Sequence, residues 1–174
     1  MRELAIVIAV VVLDRVTKLY IRGAFSFAET KPVIPGFFNI VHVENPGAAF
    51  GMLADSPTAW STGLLACVSI AIITLVGLIL WRPKRFPKLD FGMPNTPLMR
   101  TALALVLGGA LGNLWDRLFR GTVTDFLQFF FGSYEFPSFN AADSMISIGA
   151  VLMLIDLWLT RDHQPTGVRS SGGA

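Results

Sequence analysis

Asp125 and Asp143 are the residues of this chain best suited to chemistry, because each stands beside a long apolar segment where a carboxylate is costly unless it has a task. Further polar side chains flank the apolar segments: Asp14, Lys18, Asn45, Asn113, Asp116, Arg117 and Asn140. Two carboxylates within about 4 Å repel by roughly 4 kcal/mol at an effective dielectric near 20, enough to separate their titrations by about three pK units. One then keeps a proton while its partner is ionised. Peptide hydrolysis by a carboxylate pair requires this state. The ionised member takes a proton from the attacking water, and the protonated member hydrogen-bonds the carbonyl oxygen. The pair titrates as a unit, so at this point the proton belongs to neither residue.

Other chemistries fit less well. The chain has no HExxH string, two histidines (His42 and His163) and one cysteine, Cys67, so neither a zinc site nor an internal disulfide is expected. No metal and no cofactor is expected, since water serves as the nucleophile. A Ser/Lys peptidase would draw on Lys18 with Ser138 or Ser144, but serine at a helix start is more commonly a cap.

The elements that must position these groups are membrane spans. Of 174 residues 53% are hydrophobic and 15% charged, and the mean hydropathy is +0.59, which excludes an ordinary water-soluble domain. A net charge of +2 gives no basic surface for nucleic acid. Residues 4–20, 60–81, 98–118 and 140–158 are each apolar over close to the roughly 20 residues a bilayer demands. Trp60, Trp81, Trp115, Trp158 and Tyr20 lie near their ends, as an aromatic belt does. Asp14, Arg15 and Lys18 interrupt the first segment, which argues against a cleavable signal ending at Ser26-Phe27-Ala28. Its eight Leu, Ile and Val residues up to Leu13 contribute roughly −2 to −5 kcal/mol to insertion, against about +3 for a central Asp, so the helix tolerates Asp14 if Asp14 finds a partner. Lys18, four residues on, can be that partner. Gly108, Gly109 and Gly112 favour close helix contact.

The connections fix the orientation. Arg82, Lys84, Arg85 and Lys88 fall between the second and third spans, whereas residues 23–59 contain only Lys31, so the basic linker and both termini are expected in the cytoplasm. The expected fold class is an all-α polytopic membrane protein of four transmembrane helices, one domain over residues 1–160, with a disordered cytoplasmic tail at 161–174. Residues 23–59 hold turn-forming prolines and glycines around a β-prone stretch at 37–44, in which Val41 and Val43 alternate with His42 and Glu44. This predicts a small β-rich periplasmic cradle. Residues 119–139 are expected to form an aromatic periplasmic loop that lies at the headgroups or lines an acyl-chain cleft. On this topology all the unusual polar residues share the outer membrane face.

Four strings, read together, resemble the lipoprotein signal peptidases (signal peptidase II). They are Asn45-Pro46-Gly47-Ala48-Ala49-Phe50-Gly51, Gly112-Asn113-Leu114-Trp115-Asp116-Arg117, Val123-Thr124-Asp125-Phe126 and Phe139-Asn140-Ala141-Ala142-Asp143-Ser144. The segment from Asp14 to Lys18 is also similar to that family's first helix. The chain departs where Phe136-Pro137 stands in place of a common Trp-Pro, and an aromatic is retained. The resemblance implies four helices with a β-rich cradle in the bacterial inner membrane. It further implies an aspartic endopeptidase that cuts prolipoproteins on the N-terminal side of a diacylglyceryl-modified cysteine. Asp125 and Asp143 match the catalytic aspartates; Asp14, Lys18, Asn45, Asn113, Arg117 and Asn140 match positions that support the site or hold the substrate. The expected partners are such prolipoproteins and membrane lipids, with the chain acting as a monomer.

Rival readings remain at this stage. Alone, Asp125 could be a loop acid or cap and Asp143 a first-turn acid. Asp116, beside Arg117, is expected to form a structural ion pair. A proton-coupled transporter or channel would also use intramembrane carboxylates, but it needs a polar path to the other face, and residues 70–80 and 148–157 offer almost none beyond Asp156.

Overall fold

The computed structural model describes residues 1–47, 59–81 and 93–161, with side chains from residue 63 onward in the second stretch. Ala48 to Gly51 of the first string, the basic linker at 82–92 and the tail from 162, with His163, lie outside the described residues. Helix α1 (Arg2–Ala24) leads into strands β1 (Thr30–Ile34) and β2 (Phe38–Asn45); helices α2 (Ala59–Leu80) and α3 (Pro97–Arg120) follow, then β3 (Val123–Phe131), β4 (Tyr134–Phe139) and α4 (Ala141–Thr160).

Local sequence sets the helix ends. Thr96 caps α3, its hydroxyl accepting from Met99 N at 2.9 Å and donating to Asp156 Oδ1 of α4 at 2.6 Å, while Pro97 occupies the first turn, where no amide hydrogen is needed. At the other end Gly121 takes the left-handed conformation (φ 76°) that stops α3 and turns the chain into β3. Asp156 thereby joins the start of α3 to α4.

Helix α3 is the axis of the bundle and packs against the other three helices. Its core side chains Met99, Leu103 and Leu107 meet Val7 of α1 and Val76 and Leu80 of α2. The expected close approach at the glycines is present. A methyl group on Gly109 would stand 2.5 Å from the Ala142 carbonyl oxygen of α4, and one on Gly112 would stand 2.6 Å from the Asp14 carboxylate of α1. Both contacts draw the polar residues of neighbouring helices toward one level of the bundle.

Three helices contain stretches long and apolar enough to cross a membrane: Gly63–Leu80, Pro97–Arg120 and Ala141–Thr160. The expected fourth, α1, is a 23-residue helix but is not among these, because Asp14, Arg15 and Lys18 put at least three charged residues into every 18-residue stretch of it. Asp14 and Lys18 are buried, whereas Ile8, Val12, Val16 and Leu19 are exposed. Tyr20, Trp81, Trp115 and Trp158 are exposed as the belt reading requires.

The cradle is a four-stranded antiparallel sheet in the order β1-β2-β3-β4. Residues 119–139 therefore differ from the loop expected of them, since most form a hairpin that supplies half the sheet. The run from Val123 to Phe126 is buried on both faces, Phe126 packing on Ile21 and Phe25, so no alternation marks it as strand. Alternation also fails in β2. Ile40 faces Leu127 and Val43 faces Asp125, so two residues of β2, Val41 and His42, oppose the single residue Phe126. This bulge buries Val41 and His42 together and leaves Val43 exposed.

Candidate active site

The start of α4 fixes Asp143. Asn140 has extended backbone (φ −128°, ψ −175°) and caps the helix. Its side-chain oxygen accepts from Asp143 N at 3.0 Å, and the Asp143 carboxylate accepts in return from Asn140 N at 3.3 Å. This reciprocal cap closes the first turn, and the helix N-terminus favours negative charge there.

Asp125 arrives from β3. Its Oδ1 accepts from Asn140 Nδ2 at 2.7 Å and its Oδ2 from Asn45 Nδ2 at 3.0 Å. Asn45 ends β2 and lies diagonally across the ladder from Asp125 on the same face; its own oxygen is held by Gly47 N at 2.9 Å. Asn140 thus touches both aspartates, Asp125 through its carboxamide and Asp143 through its backbone. Asp125 is only 3% exposed. Burial pushes its carboxyl up to about 7; the charge of Asp143 acts in the same direction, while the donations from Asn45 and Asn140 oppose it.

Asn113 of α3 completes the constellation. Its Nδ2 donates to Asp143 Oδ1 at 2.7 Å, while its oxygen accepts from Lys18 Nζ at 2.9 Å and faces Asn140 Nδ2 at 3.3 Å. Lys18, with Asn140 as a longer second donor, therefore sets which way the Asn113 amide points. The ammonium also lies 2.9 Å from the carboxylates of Asp14 and Asp116, and all three side chains are 0% exposed. Asp14 Oδ1 accepts from Ala142 N at 3.2 Å, which ties α1 to the first turn of α4.

The structure thus joins Asp125, Asp143, Asn45, Asn113 and Asn140 directly and sets Asp14 and Lys18 behind them. Arg117, one turn beyond Asn113, instead reaches Ser69 of α2 (Nη1 to Oγ 3.5 Å), within electrostatic range of both aspartates. Asp116 does form a structural ion pair, but not with Arg117. Adjacent helical residues do not face each other, and Asp116 turns to α1, where it meets Arg15 at 2.6 Å and Arg22 at 3.0 Å besides Lys18. The Ser/Lys alternative finds no support in the geometry, because Lys18 is sequestered and Ser144 Oγ donates to the Asn140 carbonyl at 2.9 Å. Among the described residues no group of three or more His, Cys, Asp or Glu is arranged to hold a metal ion.

Sequence reasoning missed Arg15, Arg22, Glu44 and Thr124. The signal was present: Arg15, Lys18 and Arg22 follow at spacings of three and four, one stripe of α1. Beside Asp143 opens a cavity of about 560 Å³, lined by Phe136, Pro137 and Phe139 of β4 and Ser144, Ser147 and Ile148 of α4. The aromatic segment thus borders the site.

Fold and site together define a membrane-type helical bundle in which one strand-borne and one helix-borne carboxylate are joined by an asparagine. Comparison with known proteins supplies the family. The family model described as signal peptidase (SPase) II matches residues 6–159, and the chain belongs to that family. A lipoprotein signal peptidase of Solibacter usitatus is 43% identical over 145 residues, 83% of each chain. One of Maridesulfovibrio salexigens is 40% identical over 157 residues, 89% of this chain and 95% of its own. A bacterial membrane enzyme solved by the in meso method at 2.3 Å superposes with a TM-score of 0.76 at 30% identity, covering 95% of this chain and 92% of the other.

Proposed function

We propose that this protein is an intramembrane aspartic endopeptidase that removes signal peptides from prolipoproteins, cutting on the N-terminal side of the diacylglyceryl-modified cysteine. The observation that carries this reading is the contact of Asn140 with both Asp125 and Asp143. Family membership and the lipoprotein signal peptidase relatives support the substrate class. The exposed apolar side of α1 supports four spans in the bacterial inner membrane. In this reading both termini are cytoplasmic, the site is at the periplasmic face, and the chain acts as a monomer.

Asp143 is the base and Asp125 the acid. Asp143 sits at a helix N-terminus, accepts two N–H donations and borders an open cavity from which water can reach it. Asp125 is enclosed, and its donors among the described residues are the carboxamides of Asn45 and Asn140. Asp143 takes a proton from water as the water oxygen bonds to the scissile carbonyl carbon, and Asp125 gives its proton to the carbonyl oxygen. In the collapse Asp125 recovers a proton from the resulting diol, Asp143 passes its proton to the leaving nitrogen, and the C–N bond breaks.

The test is conversion of a purified prolipoprotein, with and without its diacylglyceryl group, followed by gel mobility across pH. The lipidated form is converted and the unlipidated form is not. The rate falls as pH rises through about 7, because Asp125 loses the proton that it must deliver. Equal conversion of both forms would remove the lipid requirement, and a rate still climbing well above neutrality would reverse the acid assignment.

A further inference from the structure

The face of the β2/β3 ladder turned away from the aspartates holds a second polar cluster, centred on Glu44. Glu44 pairs directly with Thr124, as Val43 does with Asp125, so Glu44 and Thr124 share one face and Asn45 and Asp125 the other. The Glu44 carboxylate is fully engaged. Its Oε2 accepts from Thr122 Oγ1 at 2.6 Å and its Oε1 from Thr124 Oγ1 at 2.7 Å; His42 Nε2 lies at 3.2 Å and Arg22 Nε at 3.7 Å. Burial alone would push this carboxyl up, but these donors hold it below the usual carboxylate range. Each partner belongs to a different part of the scaffold. Thr122 lies in the turn after α3, Thr124 is fully buried in β3, and Arg22 at the end of α1 donates to Thr124 Oγ1 at 2.7 Å and to Asp116 at 3.0 Å. His42 links Glu44 to the Phe25 carbonyl at the α1 C-cap, 3.1 Å from Nδ1.

We infer that Glu44 is a positioning residue for the reaction: by clamping the end of β2 to β3 and α1, it holds Asn45 in register on Asp125. The clamp is needed because the bulge at Val41 and His42 disrupts the β2/β3 ladder locally just before this point. A slip of one residue would turn Asn45 away and bring the Glu44 carboxylate toward Asp125. Glu44 touches neither aspartate. It acts through Asn45, whose donation to Asp125 Oδ2 favours the ionised form of that acid.

This inference rests on the assignment of Asp125 as the acid, and the test separates the two. Glu44→Ala, Thr122→Val and Asn45→Ala, singly and in the Glu44→Ala/Asn45→Ala pair, are purified in detergent and assayed on a lipidated prolipoprotein across pH, beside Asp125→Asn. Glu44→Ala lowers kcat roughly tenfold, Thr122→Val less, and both move the alkaline limb of the pH profile upward. In the Asn45→Ala background Glu44→Ala has little further effect, because its route of action is already cut. Glu44→Gln, which keeps an acceptor for Thr124, recovers part of the loss. Multiplicative effects of Glu44→Ala and Asn45→Ala, or a rate loss with an unmoved pH limb, would overturn the inference and leave Glu44 as a stabilising residue only. Full activity of Asp125→Asn would instead sink the acid assignment itself.

Discussion

Asp125→Asn and Asp143→Asn each abolish conversion of a lipidated prolipoprotein, by roughly four orders of magnitude or more, while the variant proteins stay folded and inserted. The two losses have different causes. Asn at 143 keeps one side-chain oxygen, enough for the Asn113 donor or the Asn140 amide but not both, and the first turn of α4 survives because Asn140 Oδ1 still caps the 143 amide; it has no basic carboxylate to take the proton from water. Asn at 125 can still accept one donation, yet it has no acidic proton to deliver to the carbonyl oxygen. Combining both substitutions lowers the rate no further than either alone, since the pair acts as one unit. Thermal midpoints near that of the parent protein, with conversion lost, meet this expectation; conversion at the parental rate by either variant removes the dyad.

The second large effect falls on stability. Lys18→Met takes the ammonium from a fully buried site in which Asp14 and Asp116 both face it. Asp116 keeps Arg15 and Arg22, but the Asp14 carboxylate is left, among the described residues, with the Ala142 amide as its hydrogen-bond donor. Breaking a buried pair on one side costs about 3–5 kcal/mol, which for a chain of this size lowers the thermal midpoint by about 10 °C. Activity falls as well, because the Asn113 amide loses the donor that orients it toward Asp143. In the double variant Asp14→Leu/Lys18→Met, apolar groups replace the pair and the midpoint recovers. Turnover stays low, since the longer Asn140 donation alone holds the Asn113 orientation less firmly. Recovery of turnover along with stability would show that Lys18 serves the fold alone.

Much of this arrangement could be read before any coordinates. The apolar runs locate the helices, because an apolar stretch near 20 residues has few other uses, and the polar strings around Asn45, Asn113, Asp125 and Asn140 to Asp143 converge as read. What escaped has physical causes. The hairpin of β3 and β4 hid because Val123 to Phe126 are covered on both sides, which erases the period-two signature that marks a half-buried strand. The bulge opposite Phe126 hid because it depends on cross-strand register, which no local pattern records. Asp116 was matched to its neighbour in sequence, although a 100° turn separates the two side chains and the true partners lie about a hundred residues earlier on α1. Glu44 passed for the polar member of an alternating strand; its importance comes from Thr122 and Thr124, contributed by a segment read as loop.

One consequence of the Asn140 cap concerns timing. Terminal turns of helices open and reclose far more often than the molecule unfolds, and α4 begins at the residue that also grips Asp125. Fraying of that turn and dispersal of the two acids are therefore a single event. A cap swap such as Asn140→Ser would keep the helix closed yet release the strand-borne acid, so one position sets both how long the helix stays wound and how long the acids stay together.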